Sequence, residues 1–248
     1  MRNTLRHAMT LLVLLAVPIS LFAAGSAGDA VPKGIKGNIL SHAIPAADFT
    51  LSDQHGMPFR MADARGKVVL MSFIYTHCTD LCPFIALKLK DAWQLLGADA
   101  KNVEIVLVTT DPRRDTQSVT SAYSKALGMN EVWRYLSGPA DAVHKVWADY
   151  GIGVTVDTET GAVLAAKEKK SETSESAPMA EEEPTQGLSK TDLALAGQII
   201  ANFGGGYDVG HSAPFWFVDK KGVIRAGMDA DAAPADLAAA VRVLLKLR

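Results

Sequence analysis

The chain has 248 residues, 48% of them hydrophobic and 21% charged, with a formal net charge of −2 at pH 7. That length and apolar content suffice for one good-sized core, so a single globular domain with additions is expected. The near-neutral balance excludes a chain built around phosphate contacts, and no nucleic-acid partner is expected.

Arg2, Arg6 and His7 precede an apolar run over residues 8–24 that is broken by Pro18, and no acidic residue occurs before Asp29. This is the layout of an export signal, with the small residues from Ala23 to Ala27 offering cleavage sites, and it is also near the lower length limit of a spanning helix. Residues 1–27 are therefore read as a signal peptide or an N-terminal membrane anchor. Either one sends the rest of the chain to an oxidising compartment, most simply the bacterial periplasm, with membrane contact only through that segment. Residues 28–44, with Pro32, Gly34 and Gly37, read as a linker, and 45–248 as the folded domain.

Within the domain, Asp48 to Leu51 and the turn Asp53-Gln54-His55-Gly56 predict an opening hairpin. The apolar run at 67–75 predicts a buried strand, 83–96 a helix, and 103–109 a second buried strand, which together imply a parallel unit. Helices are expected at 116–127 and 141–150, the first capped by Asp115 or Thr116. Between 157 and 207 the composition becomes charged, as in Lys167-Glu168-Lys169-Lys170 and Glu181-Glu182-Glu183, and this stretch reads as a mobile insertion. A short helix at 189–203 inside it would end at Gly204-Gly205-Gly206. Strands at 215–218 and 223–225 flank the turn Asp219-Lys220-Lys221-Gly222, and Pro234 opens a last amphipathic helix.

Cys78 and Cys82 are the only cysteines, and both fall where the first buried strand gives way to the first helix. Unpaired N–H groups and the positive end of the helix dipole point at that junction, so both thiols are expected to ionise more easily than a free cysteine. Such a pair can form a reversible disulfide or chelate a soft metal ion. Three intervening residues, against two in thioredoxin-type motifs, suit a chelate slightly better; a permanent structural disulfide is the plainer alternative.

The stretch Phe73-Ile74-Tyr75-Thr76-His77-Cys78-Thr79-Asp80-Leu81-Cys82-Pro83, the segment Thr110-Asp111-Pro112-Arg113-Arg114-Asp115-Thr116, and Gly210-His211-Ser212 ahead of the Asp219-Lys220-Lys221-Gly222 turn resemble the SCO/SenC family. The resemblance covers about residues 45 to 155 and 207 to 245. It implies an α/β, thioredoxin-like fold: a central mixed sheet with flanking helices, an N-terminal hairpin and the charged insertion before the last strands. It also implies a copper chaperone for the binuclear copper centre of cytochrome c oxidase, with Cys78, Cys82 and His211 as metal ligands. The expected partners are the copper-accepting oxidase subunit, an upstream copper donor and a thiol reductase. Two thiolates and an imidazole form a soft set that suits Cu(I), with Cu(II) accessible if a further ligand joins.

His77 is expected to be a neighbouring group rather than a ligand, because adjacent residues on a turn point in different directions. Asp111 is expected to be structural, or to orient a ligand or meet a partner. Pro214 stands where thioredoxin-like oxidoreductases carry a cis-proline facing their cysteines, and a cis bond there would favour a thiol–disulfide reductase in which Cys78 and Cys82 are the catalytic redox pair. A copper or redox sensor without transfer is a third alternative. His7, His42, His55 and His144 have no sulfur nearby in sequence and read as surface residues.

Overall fold

Every side chain from Val68 to Ile74 is buried, as a strand covered on both faces requires. The computed structural model, which describes residues 31–156 and 185–247, makes this strand the centre of the molecule. Before it come β1 (Ile44–Pro45) and the hairpin of β2 (Thr50–Ser52) and β3 (Pro58–Arg60); the buried strand is β4 (Val68–Ile74). Helix α1 (Cys82–Leu96) leads to β5 (Val103–Thr109), α2 (Gln117–Ala126) to β6 (Trp133–Leu136), and α3 (Ala140–Asp149) to β7 (Val154–Val156). The second described stretch holds α4 (Lys190–Phe203), β8 (Val209–His211), β9 (Phe215–Val218), β10 (Val223–Met228) and α5 (Pro234–Leu245).

The main sheet runs β1-β10-β9-β4-β5-β6. β4, β5 and β6 are parallel, while β9 is antiparallel to β4, with Met71 opposite Trp216. The carboxyl end of β4, from which the cysteines follow, therefore lies beside the start of β9, which the chain reaches just after His211. This mixed sheet with flanking helices is the expected fold class.

α1 is rigidly placed by burial. Ile85, Leu87, Leu89 and Leu96 are 3% exposed or less, and each fully buried aliphatic contributes roughly 1.5–3 kcal/mol relative to exposure. The helix packs on α5 and β4, so its first residue, Cys82, cannot drift from the end of the strand.

The capping of α2 differs from the expectation. Thr116 caps α2 by position without a side-chain cap bond, and Asp115 turns inward instead. Its fully buried carboxylate accepts hydrogen bonds from Thr76 Oγ1 at 2.5 Å, Thr109 Oγ1 at 2.7 Å and the Tyr135 hydroxyl at 3.1 Å, and from the Thr76 N–H at 3.2 Å. The ends of β4 and β5 and the middle of β6 thus meet on one anion. Three short strands have no counterpart among the predicted elements: β6, with only four residues and an arginine among them, and the ribbon of β7 and β8 lack the apolar length that marks a strand in sequence.

The helix expected at 189–203 is present. Ser189 and Asp192 form a reciprocal capping box, and α4 buries Ala196 and Ile199 while Phe203 meets Tyr123 at 5.3 Å between ring centroids. The remainder of the charged stretch, 157–184, lies outside the described residues, as do residues 1–27, for which a signal peptide or anchor is expected. Among the described residues no helix is long and apolar enough to cross a membrane.

Replacing Asp115 with Asn should lower the unfolding free energy by roughly 3 kcal/mol, because an amide turns one acceptor oxygen into a donor facing buried hydroxyls. Urea denaturation of the reduced protein checks this, and an unchanged midpoint would show that the carboxylate is dispensable.

Candidate metal centre

The turn that carries the cysteines is held before any sulfur is considered. Thr76, its first residue, is fixed by Asp115; because its hydroxyl donates to that carboxylate, His77 Nδ1 is the donor in its 2.8 Å contact with Thr76 Oγ1. His77 lies 3.9 Å from Asp115 and contributes its carbonyl to the Gly205 N–H at 3.1 Å.

Cys78 and Cys82 are free and buried, with 5% and 1% exposure. Cys78 Sγ accepts the Asp80 N–H at 3.5 Å, at the entrance to α1. A hydrogen bond from the Cys82 thiol, with smaller help from the N–H groups of Cys82 and Asp80 and from the Tyr75 hydroxyl, pulls the Cys78 pKa down to about 6 against the cost of burial. Cys82 moves the opposite way: complete burial, and then its bond to Cys78, push its thiol well above the ordinary value. The expectation that both thiols are activated therefore holds for Cys78 and fails for Cys82. One proton is shared between two sulfurs, and Cys82 keeps it.

His211 arrives on a separate arm. β7 and β8 form an antiparallel ribbon in which His211 faces Val154, and Ser212 N–H donates to the Gly153 carbonyl at 3.1 Å. The imidazole Nε2 lies 3.4 Å from Cys82 Sγ, and Nδ1 is 3.2 Å from the Ser212 carbonyl. With Nδ1–H donating to that carbonyl, the lone pair of Nε2 faces the sulfur. Burial holds the His211 pKa below its usual value, so the ring is neutral at pH 7 and able to donate that lone pair. Tyr75 packs edge-on against the ring at 5.7 Å and accepts the Val209 N–H on its hydroxyl at 3.2 Å.

These residues line a cleft of about 320 Å³ that is open to solvent past Thr79, Asp80 and Leu81. The donors touch in a chain, Cys78 to Cys82 to His211. Among the described residues no three His, Cys, Asp or Glu side chains surround one point as a finished metal cage. Softness and convergence of the donors fit copper(I), and a small movement of side chains at the open mouth would be needed to close all three on one ion.

The remaining sequence-selected residues lie around this cleft. Asp111, 4% exposed, pairs with Arg114 Nε and accepts the Tyr207 hydroxyl at 2.9 Å, so it braces the surrounding loops without reaching the sulfurs. The bond before Pro214 is trans, and Ala213 rather than Pro214 lines the cleft. The loop therefore lacks the cis-proline conformation that would have favoured a reductase. Sequence reasoning missed Tyr75 as a site residue: an apolar run ending in tyrosine gives no sign that the hydroxyl meets a sulfur.

Iodoacetamide should alkylate one thiol of the reduced protein with a rate that rises through a midpoint near pH 6. Changing Cys82 to Ala removes the largest cause of the low value and should move the midpoint toward that of an ordinary thiol. A wild-type midpoint near pH 9 would contradict the shared-proton arrangement.

The SCO1/SenC family model matches residues 40–171. The mitochondrial protein SCO2 homolog of Mus musculus is 41% identical over 83 residues, covering 33% of this chain and 32% of that protein. The chain thus matches about a third of the length of such curated relatives. Bradyrhizobium japonicum ScoI, solved with copper bound, superposes with a TM-score of 0.57 at 21% identity, over 81% of this chain and 99% of that one. BsSco, described as a member of the Sco family of cytochrome c oxidase assembly proteins and as having a disulfide switch, gives a TM-score of 0.55 at 16% identity, over 87% of this chain and 100% of its own. At those identities the superpositions bear on the fold alone, which is the Sco, thioredoxin-like one. With just over half of its length matched by the family model, the chain belongs to the SCO1/SenC family.

Proposed function

We propose that this protein binds copper through Cys78, Cys82 and His211 and delivers it to the copper-accepting subunit of cytochrome c oxidase. The observation that carries this is the convergence of an ionised thiol, a protonated thiol and a neutral imidazole at one solvent-facing cleft, with Nε2 3.4 Å from Cys82 Sγ. The copper in the B. japonicum relative and the oxidase-assembly role given to BsSco support the same reading.

Copper is the cargo here, and the residues divide the work of taking and releasing it. Cys78, already a thiolate at neutral pH, offers the first sulfur without losing a proton. Cys82 must give up its proton to become a ligand, so uptake releases that proton to solvent. His211 sits on a two-stranded arm, whereas both sulfurs belong to the strand-to-helix junction of the core. An incoming ligand from the acceptor can therefore displace the imidazole while the sulfurs still hold the ion, and exchange proceeds without free copper. Export to the periplasm, an upstream copper donor and a reductase that keeps the thiols reduced complete the proposal.

The same pair of thiols supports a second reading, favoured by the activated Cys78 beside its protonated neighbour. The Cys78 thiolate would attack a target disulfide, forming a mixed disulfide and releasing one target thiolate. Cys82, once deprotonated, would then attack that bond, leaving a Cys78–Cys82 disulfide and a target reduced by two electrons.

Titrating the reduced protein with Cu(I) and Cu(II) separates the readings. The copper reading predicts one ion per chain with a thiolate-to-copper absorption band, binding lost in Cys78→Ser and Cys82→Ser, and affinity weakened by roughly 100-fold or more in His211→Ala. Cu(II) that only oxidises the two thiols to a disulfide, two Cu(II) being reduced to Cu(I), together with Cu(I) that does not bind, identically in wild type and His211→Ala, would favour thiol exchange and sink copper delivery.

A further inference from the structure

The segment between α4 and β8 is tied down by contacts that the three donors do not explain. α4 ends at Gly204, and the chain then runs through Gly205 and Gly206, with φ of +118° and +84°, to Tyr207 and on to the strand that bears His211. Such a glycine strap has little stiffness of its own. Its order comes from its docking: Gly205 N–H to the His77 carbonyl, Arg114 Nη1 to the Gly205 carbonyl at 2.9 Å, and the Tyr207 hydroxyl to Asp111 at 2.9 Å.

Arg114 is the hub of this docking. Its Nε pairs with the buried Asp111, and its guanidinium lies 3.6 Å from the centroid of the Tyr207 ring and 5.5 Å from that of Tyr75. The side chain is only 15% exposed, which sets it apart from surface pairs that contribute little. On one side it touches Tyr75, the wall against which His211 packs; on the other it holds Tyr207 and Gly205, the approach to the His211 strand. A Cβ at Gly206 would come within 2.8 Å of Nη1, so the strap passes directly over the guanidinium.

We propose that Arg114 is a positioning residue for His211: by clamping Gly205 and Tyr207 against Asp111 and Tyr75, it fixes the strap so that the imidazole rests against Cys82. This inference rests on the copper reading above. Arg114→Lys tests it, since lysine keeps the charge beside Asp111 but loses the fork and the flat stack. If that variant does not fold, Tyr207→Phe, which removes a single hydroxyl, is read in the same way.

In the reduced protein with no copper added, amide hydrogen exchange should quicken at least about tenfold across residues 205–211 and stay unchanged in β4 and β5. Cu(I) affinity, measured by competition with a chelator, should fall roughly tenfold for Arg114→Lys in the wild-type background and not at all in the His211→Ala background. An equal loss in both backgrounds, or unchanged exchange at 205–211, overturns the positioning role and leaves copper binding intact. Full affinity in His211→Ala alone removes His211 from the site, and the inference falls with that part of the reading.

Discussion

A buried carboxylate held by three hydroxyls and a backbone N–H keeps the working end of this protein together. Asp115 gathers Thr76 at the end of β4, Thr109 at the end of β5 and Tyr135 in β6, and its own carbonyl accepts the Ser137 hydroxyl at 2.7 Å. Buried charge is costly unless its lone pairs are satisfied, and here donors from three parallel strands satisfy them. Through Thr76 this anion fixes where the chain leaves the sheet, and α1, anchored by its buried aliphatics, fixes where it resumes. The residues between have little freedom, so the spacing of Cys78 and Cys82 becomes a spatial relation as well as a sequence one.

The consequence for chemistry is an unequal pair of sulfurs. Cys78 receives hydrogen bonds and becomes the thiolate; Cys82, wholly buried, keeps the proton that stabilises its neighbour. Before any metal arrives, the site holds one negative charge instead of two. Two thiolates side by side in a buried setting would repel each other, and the shared proton avoids this. On the proposed function the second proton leaves only when a cation takes its place, which couples metal uptake to ionisation at the atom where the charge is needed.

Much of this was legible in the residues and some was not. The apolar runs at 67–75 and 103–109 announce β4 and β5 because a strand buried on both faces needs continuous apolar side chains. Cys78 and Cys82 were visible as a pair through scarcity and placement. His211 was visible only through the resemblance, since nothing near it in sequence marks a ligand; its place depends on an antiparallel ribbon of three-residue strands too short to leave a pattern. Asp115 reads as a helix cap because local rules favour that role for an aspartate before a helix, and tertiary donors overrode them. The unequal thiols follow from the hydrogen bonds that converge on Cys78 and from the complete burial of Cys82, and both depend on how the turn and α1 pack. Pro214 suggested a redox loop by its position, and its trans bond withdraws that suggestion.

On the proposed function, both sulfurs and the His211 nitrogen bind the same copper ion. X-ray absorption at the copper edge of the Cu(I)-loaded protein counts those neighbours directly. Two sulfurs and one imidazole nitrogen are expected, with the nitrogen lost in His211→Ala and both sulfurs retained. Identical spectra for wild type and His211→Ala, or a wild-type ion with fewer than two sulfur neighbours, would contradict it.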